Sequence, residues 1–143
     1  MSWRIADDLT VSDTGFEAEG MSLPELFRSA VDATLAVMVG DPARLRQRRA
    51  VTVRLEAGDP AGLLFDLLQE VIFRKDAEGL FLRLADALVT ENAGRCILDA
   101  TLAGEAFDRG RHEAGTDVKA VTFHRFEVVE RERRWQATVV LDV

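Results

Sequence analysis

The sequence predicts an α+β fold, with two helices packed on one face of a mostly antiparallel sheet, and three observations carry that prediction. Two stretches repeat their apolar residues at helical spacing, and both lie in the first half of the chain. From Gly79 onward the apolar runs alternate with polar residues, the period of strands half-buried in a sheet. The links between those later runs are short, so neighbouring strands pair antiparallel. Helices followed by a series of strands is the order of an α+β domain, not of a doubly wound parallel sheet.

The elements follow in order. Phe16, Ala18 and Thr14 alternate with Gly15, Glu17 and Glu19, a strand that ends at Gly20. Ser22-Leu23-Pro24-Glu25 is a capping box, in which Ser22 accepts from the free amide of Glu25 and Glu25 reaches back. Leu23, Leu26, Phe27, Ala30, Val31, Thr34, Leu35 and Met38 then form one apolar face, and Gly40 stops the helix. Val51, Val53 and Leu55 alternate with Thr52, Arg54 and Glu56 as a second strand. Asp59 as N-cap and Pro60 at the first helical position open another helix, with Leu63, Leu64, Leu67, Leu68, Val71 and Ile72 as its buried stripe. Leu80, Leu82 and Leu84 form a third strand, followed by strands over 95–102, 118–129 and 135–142. The polar, Gly-rich segment 107–117 is the one long loop among them, and ordered long loops often carry function.

At 143 residues the chain forms one domain, 1–143, and its 48% hydrophobic and 30% charged residues are those of an ordinary globular protein. Eighteen basic residues against 25 acidic ones leave a net charge of −7, which argues against a protein that grips nucleic acid unaided. Cys96 is the only cysteine, so no intrachain disulfide or cysteine-based zinc site is expected, and its apolar setting marks a small buried hydrophobe. No signal peptide and no bilayer-spanning apolar run is visible, and the expected location is the cytoplasm, with no membrane partner.

The usual catalytic signatures are mostly absent. There is no phosphate-cradling Gly-rich loop, no nucleophile elbow and no His-Glu-x-x-His helix, and neither His112 nor His124 makes a nucleophile-and-base pair. What remains is carboxylate chemistry. Asp13 opens the first strand and Asp142 closes the last, beside the carboxylate expected on Val143. Anions that close repel unless a cation holds them. Strand-end carboxylates of this kind suit a hard ion such as Ca²⁺, Mg²⁺ or Mn²⁺, although Asp is also common at strand ends for local hydrogen bonding.

Three blocks give the chain a family resemblance. They are Asp13-Thr14-Gly15-Phe16-Glu17-Ala18-Glu19-Gly20 with Ser22-Leu23-Pro24-Glu25-Leu26-Phe27, the run 63–70 with Asp76-Ala77-Glu78-Gly79, and Gly104-Glu105 through Gly115-Thr116-Asp117-Val118-Lys119-Ala120 to Leu141-Asp142-Val143. Together they resemble the archeases, small proteins associated with the RNA-splicing ligase that joins tRNA halves. Thr10-Val11-Ser12 stand where archeases usually carry a His-Thr pair, and the chain has no Tyr at all, where the family often has one near Phe123. The resemblance implies an accessory protein, not an enzyme: an activator that promotes guanylylation of the ligase and restores it for further turnover. It also implies a divalent-metal site at Asp13, Asp142 and Val143, with calcium first and magnesium or manganese as alternatives. The expected partner is the ligase itself, with no direct nucleic-acid contact.

Other residues carry two readings each. Lys119, in the family-like block, is a candidate partner contact or simply a surface lysine on a strand. His112, in the long loop, either meets a partner or a metal or is a solvated loop residue, and it is not assigned as a ligand; His124 is read as a strand-face residue. Arg44, Arg46, Arg48 and Arg49, without interleaved aromatic residues, are read as a charged helix-to-strand connection. The rival to an activator is a free-standing metal-dependent enzyme acting on a small phosphorylated or nucleotide substrate.

Overall fold

The computed structural model describes residues 2–6 and 13–143. In chain order the elements are β1 (Ser2–Ile5), β2 (Thr14–Gly20), α1 (Leu23–Val39), a 3-10 turn (Pro42–Arg44), β3 (Arg49–Ala57), α2 (Pro60–Glu78), β4 (Leu80–Asn92), β5 (Arg95–Ala106), β6 (Ala120–Val121), β7 (Glu127–Arg131) and β8 (Arg134–Asp142). Every strand pairing is antiparallel. The expected α+β architecture is present, with the strands divided between two hydrogen-bonded sheets. One runs β1-β2-β8, with β6 and β7 both on the far edge of β8; the other runs β3-β5-β4. The helices span both, α1 packing on β2 and β4 and α2 on β4, β3 and β6. Neither helix is long and apolar enough to cross a membrane.

Both helices begin and end as their sequences dictate. Ser22 Oγ accepts from Glu25 N at 3.3 Å, while the Glu25 carboxylate accepts from Met21 N at 2.7 Å, one residue before the cap. Gly40 closes α1 with a φ of 77°, and its amide donates to Ala36 O. Asp59 Oδ1 accepts from Gly62 N at 2.8 Å and caps α2. Leu63, Leu64, Leu67, Leu68, Val71 and Ile72 are all buried, as their spacing predicts. They meet Phe27 and Leu35 of α1, Phe16, Val139 and Leu141 of one sheet, and Leu82, Leu98 and Leu102 of the other, in one core. Each such side chain contributes on the order of 2 kcal/mol relative to leaving it in water.

The structure departs from the sequence reading in three places. Strand β1 was not expected; Trp3 and Ile5 alternate with Ser2 and Arg4, but over four residues only, all of them exposed. Second, β4 and β5 are longer than their apolar cores, running to Asn92 and Ala106 as a hairpin closed by Ala93 and Gly94, both at positive φ. That is a primed turn, whose twist matches the strands it joins. Third, the strand expected over 118–129 is broken. Val121 pairs with Leu141 and Glu127 with Thr138, so residues 122–126 lie opposite Val139 and Val140 alone. The surplus residues loop out, with Arg125 at a φ of 55°. The loop is held by Phe65 of α2, whose ring stacks on Phe123 at 4.2 Å and meets Phe126 edge-on at 5.3 Å. His124 is therefore an exposed turn residue, not one on a strand face.

An ion pair joins α1 to β4. Asp32, buried on α1, accepts from Arg83 of β4 through both oxygens, at 3.0 and 2.9 Å. The hydrogen bonds and charge of Asp32 raise the pKa of the Arg83 guanidinium, against the opposing effect of burial. Replacing Asp32 with Ala strands a half-buried cation, and chemical denaturation is expected to show a loss of about 1–3 kcal/mol, below the range for a fully buried pair because Arg83 keeps some contact with water.

Candidate functional site

Strand β8 lies between β2 and β6, and this placement gathers the residues singled out in the sequence. The last β2–β8 pair is Thr14 with Leu141, so Asp13 and Asp142 each stand one residue beyond it on adjacent strands. On the other side Ala120 pairs with Asp142, and the Lys119 amide donates to Asp142 O at 2.8 Å. Asp13, Asp142, Val143 and Lys119 thus share one end of one sheet. Asp13 and Asp142 are half-buried, Val143 packs partly on the core, and Lys119 is exposed. Thr10, Val11 and Ser12, which precede Asp13, lie outside the described residues.

The donors at this end are oxygens, the chemistry of a hard divalent cation. Among the described residues no three His, Cys, Asp or Glu side chains cluster for a metal. A cation held by Asp13 and Asp142 would therefore draw the rest of its shell, about six to eight oxygens for calcium, from main-chain carbonyls such as that of Val143 and from water.

The loop over 107–119 reaches this end held by both helices. Gly115 N donates to Met38 O at 2.8 Å and Thr116 N to Val37 O at 2.9 Å, satisfying carbonyls that the last turn of α1 leaves open. A Cβ on Gly115 would run into the Val37 carbonyl oxygen, so the close approach requires glycine. Farther along, the Lys75 ammonium of α2 donates to Asp117 Oδ1 at 2.6 Å and Val118 O at 2.7 Å, and pairs with Asp76. Burial lowers the Lys75 pKa, but its hydrogen bonds to Asp117 and Asp76 outweigh that effect and leave it raised. Gln69, one and a half turns earlier, accepts from Val121 N at 3.1 Å. Lys75 and Gln69 thereby fix the main chain on both sides of Lys119. Sequence reasoning missed both, because their partners lie 42 to 52 residues away and no local spacing reports them.

At its start the loop is pinned by a buried carboxylate. Glu105 accepts from the Arg46 amide at 2.8 Å, from the Arg111 guanidinium and from His112 Nε2 at 3.1 Å, with Arg48 at 3.6 Å. His112 is buried, so the solvated reading of this loop residue does not hold, and it faces Glu105 of its own chain. Its Nδ1 accepts from Asp108 N at 2.8 Å, so the Nε2–H tautomer faces Glu105. Burial, followed by the repulsion of Arg111, pushes the His112 pKa down despite the contribution of Asp108. Arg111 and Arg48 already balance the Glu105 charge, so little of it is left to favour an imidazolium.

Two outcomes follow from this packing. A histidine whose pKa is lower folded than unfolded binds fewer protons when folded. Its share of stability is complete above the unfolded value of about 6.5 and is lost as the pH falls through the folded value. Urea midpoints are expected to decline from pH 7 to pH 5, and to flatten over that interval in His112→Gln. Gly115→Val is expected to release the loop from α1, seen as faster amide exchange at Thr116 and Val118 with the β3-β5-β4 sheet unchanged.

Comparison with known proteins gives this arrangement a context. The sequence profile of the Archease protein family (MTH1598/TM1083) matches residues 3–143. The archease of Aeropyrum pernix is 35% identical over 127 residues, covering 88% of each chain. That of Methanothermobacter thermautotrophicus is 33% identical over 132 residues, covering 92% of this chain and 93% of the relative. The solution structure of Methanobacterium thermoautotrophicum protein 1598 superposes with a TM-score of 0.84 at 32% identity, covering 99% of this chain and 98% of the other. A crystal structure of an archease from Thermotoga maritima, named a possible chaperone, shares the fold at a TM-score of 0.65 and 18% identity, covering 94% and 93%. Profile, relatives and fold agree over nearly the whole length, and the chain belongs to the archease family.

Proposed function

We propose that this protein is a non-catalytic accessory factor that activates an RNA-splicing ligase, promoting its guanylylation and repeated turnover in tRNA splicing or RNA repair. The contact surface is the shared end of β2, β6 and β8. Asp13, Asp142 and a main-chain oxygen of Val143 hold a divalent ion there, calcium first, and Lys119 at the rim reaches an acidic or phosphate group of the partner. The observation that carries this reading is the β2–β8 register, which sets Asp13 beside Asp142 although the chain separates them by almost its whole length. Family membership supports an accessory role, and the Thermotoga maritima archease is itself named a possible chaperone.

When bound, the ion offsets the repulsion between neighbouring carboxylates and presents positive charge to a partner's oxygen. The protein's own contribution is positional: Lys75, Gln69 and the β8 ladder hold the main chain of 117–121 in place before any partner arrives. Binding then orders less chain, which favours affinity.

Guanylylation of the cognate ligase, measured with and without this protein, tests the reading. Wild type is expected to accelerate nucleotide transfer strongly, and chelation or Asp142→Ala to remove the acceleration. The variant's unfolding free energy should stay within about 0.5 kcal/mol of wild type, since Asp142 is a strand-end residue only partly buried. Undiminished stimulation by Asp142→Ala would rule out this contact surface.

A further inference from the structure

The arginines of the 3-10 turn and the start of β3 are not a simple charged connection, because a second group of arginines folds onto them. Arg48 N donates to Gly104 O at 3.0 Å and Arg49 pairs with Gly104, which brings this strand beside the start of the long loop. A tight turn follows, with Arg111 N donating to Asp108 O and Gly110 N to Asp108 Oδ1. Arg111 then folds back to donate to the Arg44 carbonyl at 3.1 Å. Arg44, Arg46 and Arg48 stand near enough to lower the pKa of Arg111 by repulsion, after the larger effect of burial.

The nearby acids do not cancel this charge. Glu105 is buried and committed to Arg111, Arg48, His112 and the Arg46 amide. Asp41 caps its own turn by accepting from Ala43 N, and Asp108 is held by Gly110 N and Arg111. Arg44, Arg46, Arg49 and Arg109 are exposed, and their side chains make no ion pair among the described residues. Beside Arg49 and Arg109 lies a groove of about 560 Å³, lined among others by Arg48, Arg49, Glu105, Phe107, Asp108 and Arg109. Phe107 is half-buried and braced by Phe81 and His112, with ring centroids at 6.2 and 5.6 Å.

We infer that this groove binds a single-stranded polynucleotide, with its phosphates on Arg49 and Arg109 of the lining and on the exposed Arg46, whose amide meets Glu105 beside it, and a base against Phe107. Unpaired guanidinium groups present the planar fork that phosphate oxygens accept. A fixed aromatic ring beside them supplies the face on which a base stacks, a feature that an acidic protein partner would not need. The net charge of −7 does not oppose this binding at close range. At physiological salt, charges more than about 8 Å away are largely screened, so the local cluster governs the encounter. This inference does not depend on the ligase reading, which uses Asp13, Asp142 and Lys119 and shares no residue with the groove.

Fluorescence anisotropy of a labelled oligouridylate, titrated with the full-length protein at several salt concentrations, tests the assignment. Wild type is expected to bind at low salt, with affinity falling as salt rises. Arg46→Ala/Arg49→Ala/Arg109→Ala should weaken binding at least about tenfold and make the log–log salt slope shallower by about two, the value for three lost single-strand phosphate contacts. Phe107→Leu, which keeps an apolar contact with Phe81, should lose affinity with the salt slope unchanged. Circular dichroism melts confirm that each variant is folded. No binding by wild type at low salt, or equal binding by the triple variant, would overturn the assignment. Polyglutamate of matched charge competing as well as the oligonucleotide would overturn it too, and would mark the groove as a contact for an acidic protein.

Discussion

The antiparallel pairing of β2 with β8 is the constraint on which the rest of the molecule depends. It joins one of the first strands to the last, so the sheet cannot close until almost all of the chain is present. Because β8 also carries β6 and β7 on its other edge, it becomes an interior strand whose Ala137, Val139 and Leu141 complete the core under α1 and α2. Its register has no freedom to slip: a shift of one residue would turn those apolar side chains away from the helices. The same register that buries Leu141 therefore sets Asp142 beside Asp13. Site geometry and core packing are one constraint here.

The long loop owes its order to electrostatic and hydrogen-bonding ties instead of apolar burial. It carries little hydrophobic surface, yet it is anchored at Glu105, at the open carbonyls of α1 and at Lys75. Each tie satisfies groups that would otherwise be costly to bury: an anion, the orphan carbonyls of a helix end, and a largely buried ammonium. Breaking any one leaves its partner exposed to the full penalty, so the ties support one another. The two surfaces of functional interest, the carboxylate end of β8 and the arginine groove, lie at opposite ends of this loop. The ties that hold it position both.

Much of the fold was legible because local physics marks it. The capping box at Ser22, the Asp59-Pro60 start, the closing Gly40 and the leucine stripe of α2 all act within a few residues, so composition and spacing report them directly. Asp13, Asp142 and Lys119 could be chosen from residue type, position on a strand and family resemblance. Cys96 was legible too, since an apolar run around a lone thiol implies burial, and it is buried. By contrast, the alternation in β1 spans only four exposed residues, too short to mark a strand. The break between β6 and β7 was hidden because Phe123 and Phe126 continue the apolar rhythm of a strand while in fact packing on Phe65, more than fifty residues earlier.

By itself, then, the sequence determined the helices, most strands, the α+β class and the family, because each of these is encoded in short-range periodicity or contiguous blocks. Only the tertiary structure decided which distant groups meet. It buried His112 against Glu105, paired Asp32 with Arg83, hung the loop on Lys75 and Gly115, and folded Arg109 and Arg111 onto Arg44–Arg49 to make one basic groove out of two unremarkable runs. The reason is physical: an ion pair or a hydrogen bond depends on separation in space, and along this chain the partners are too far apart for any local pattern to record them.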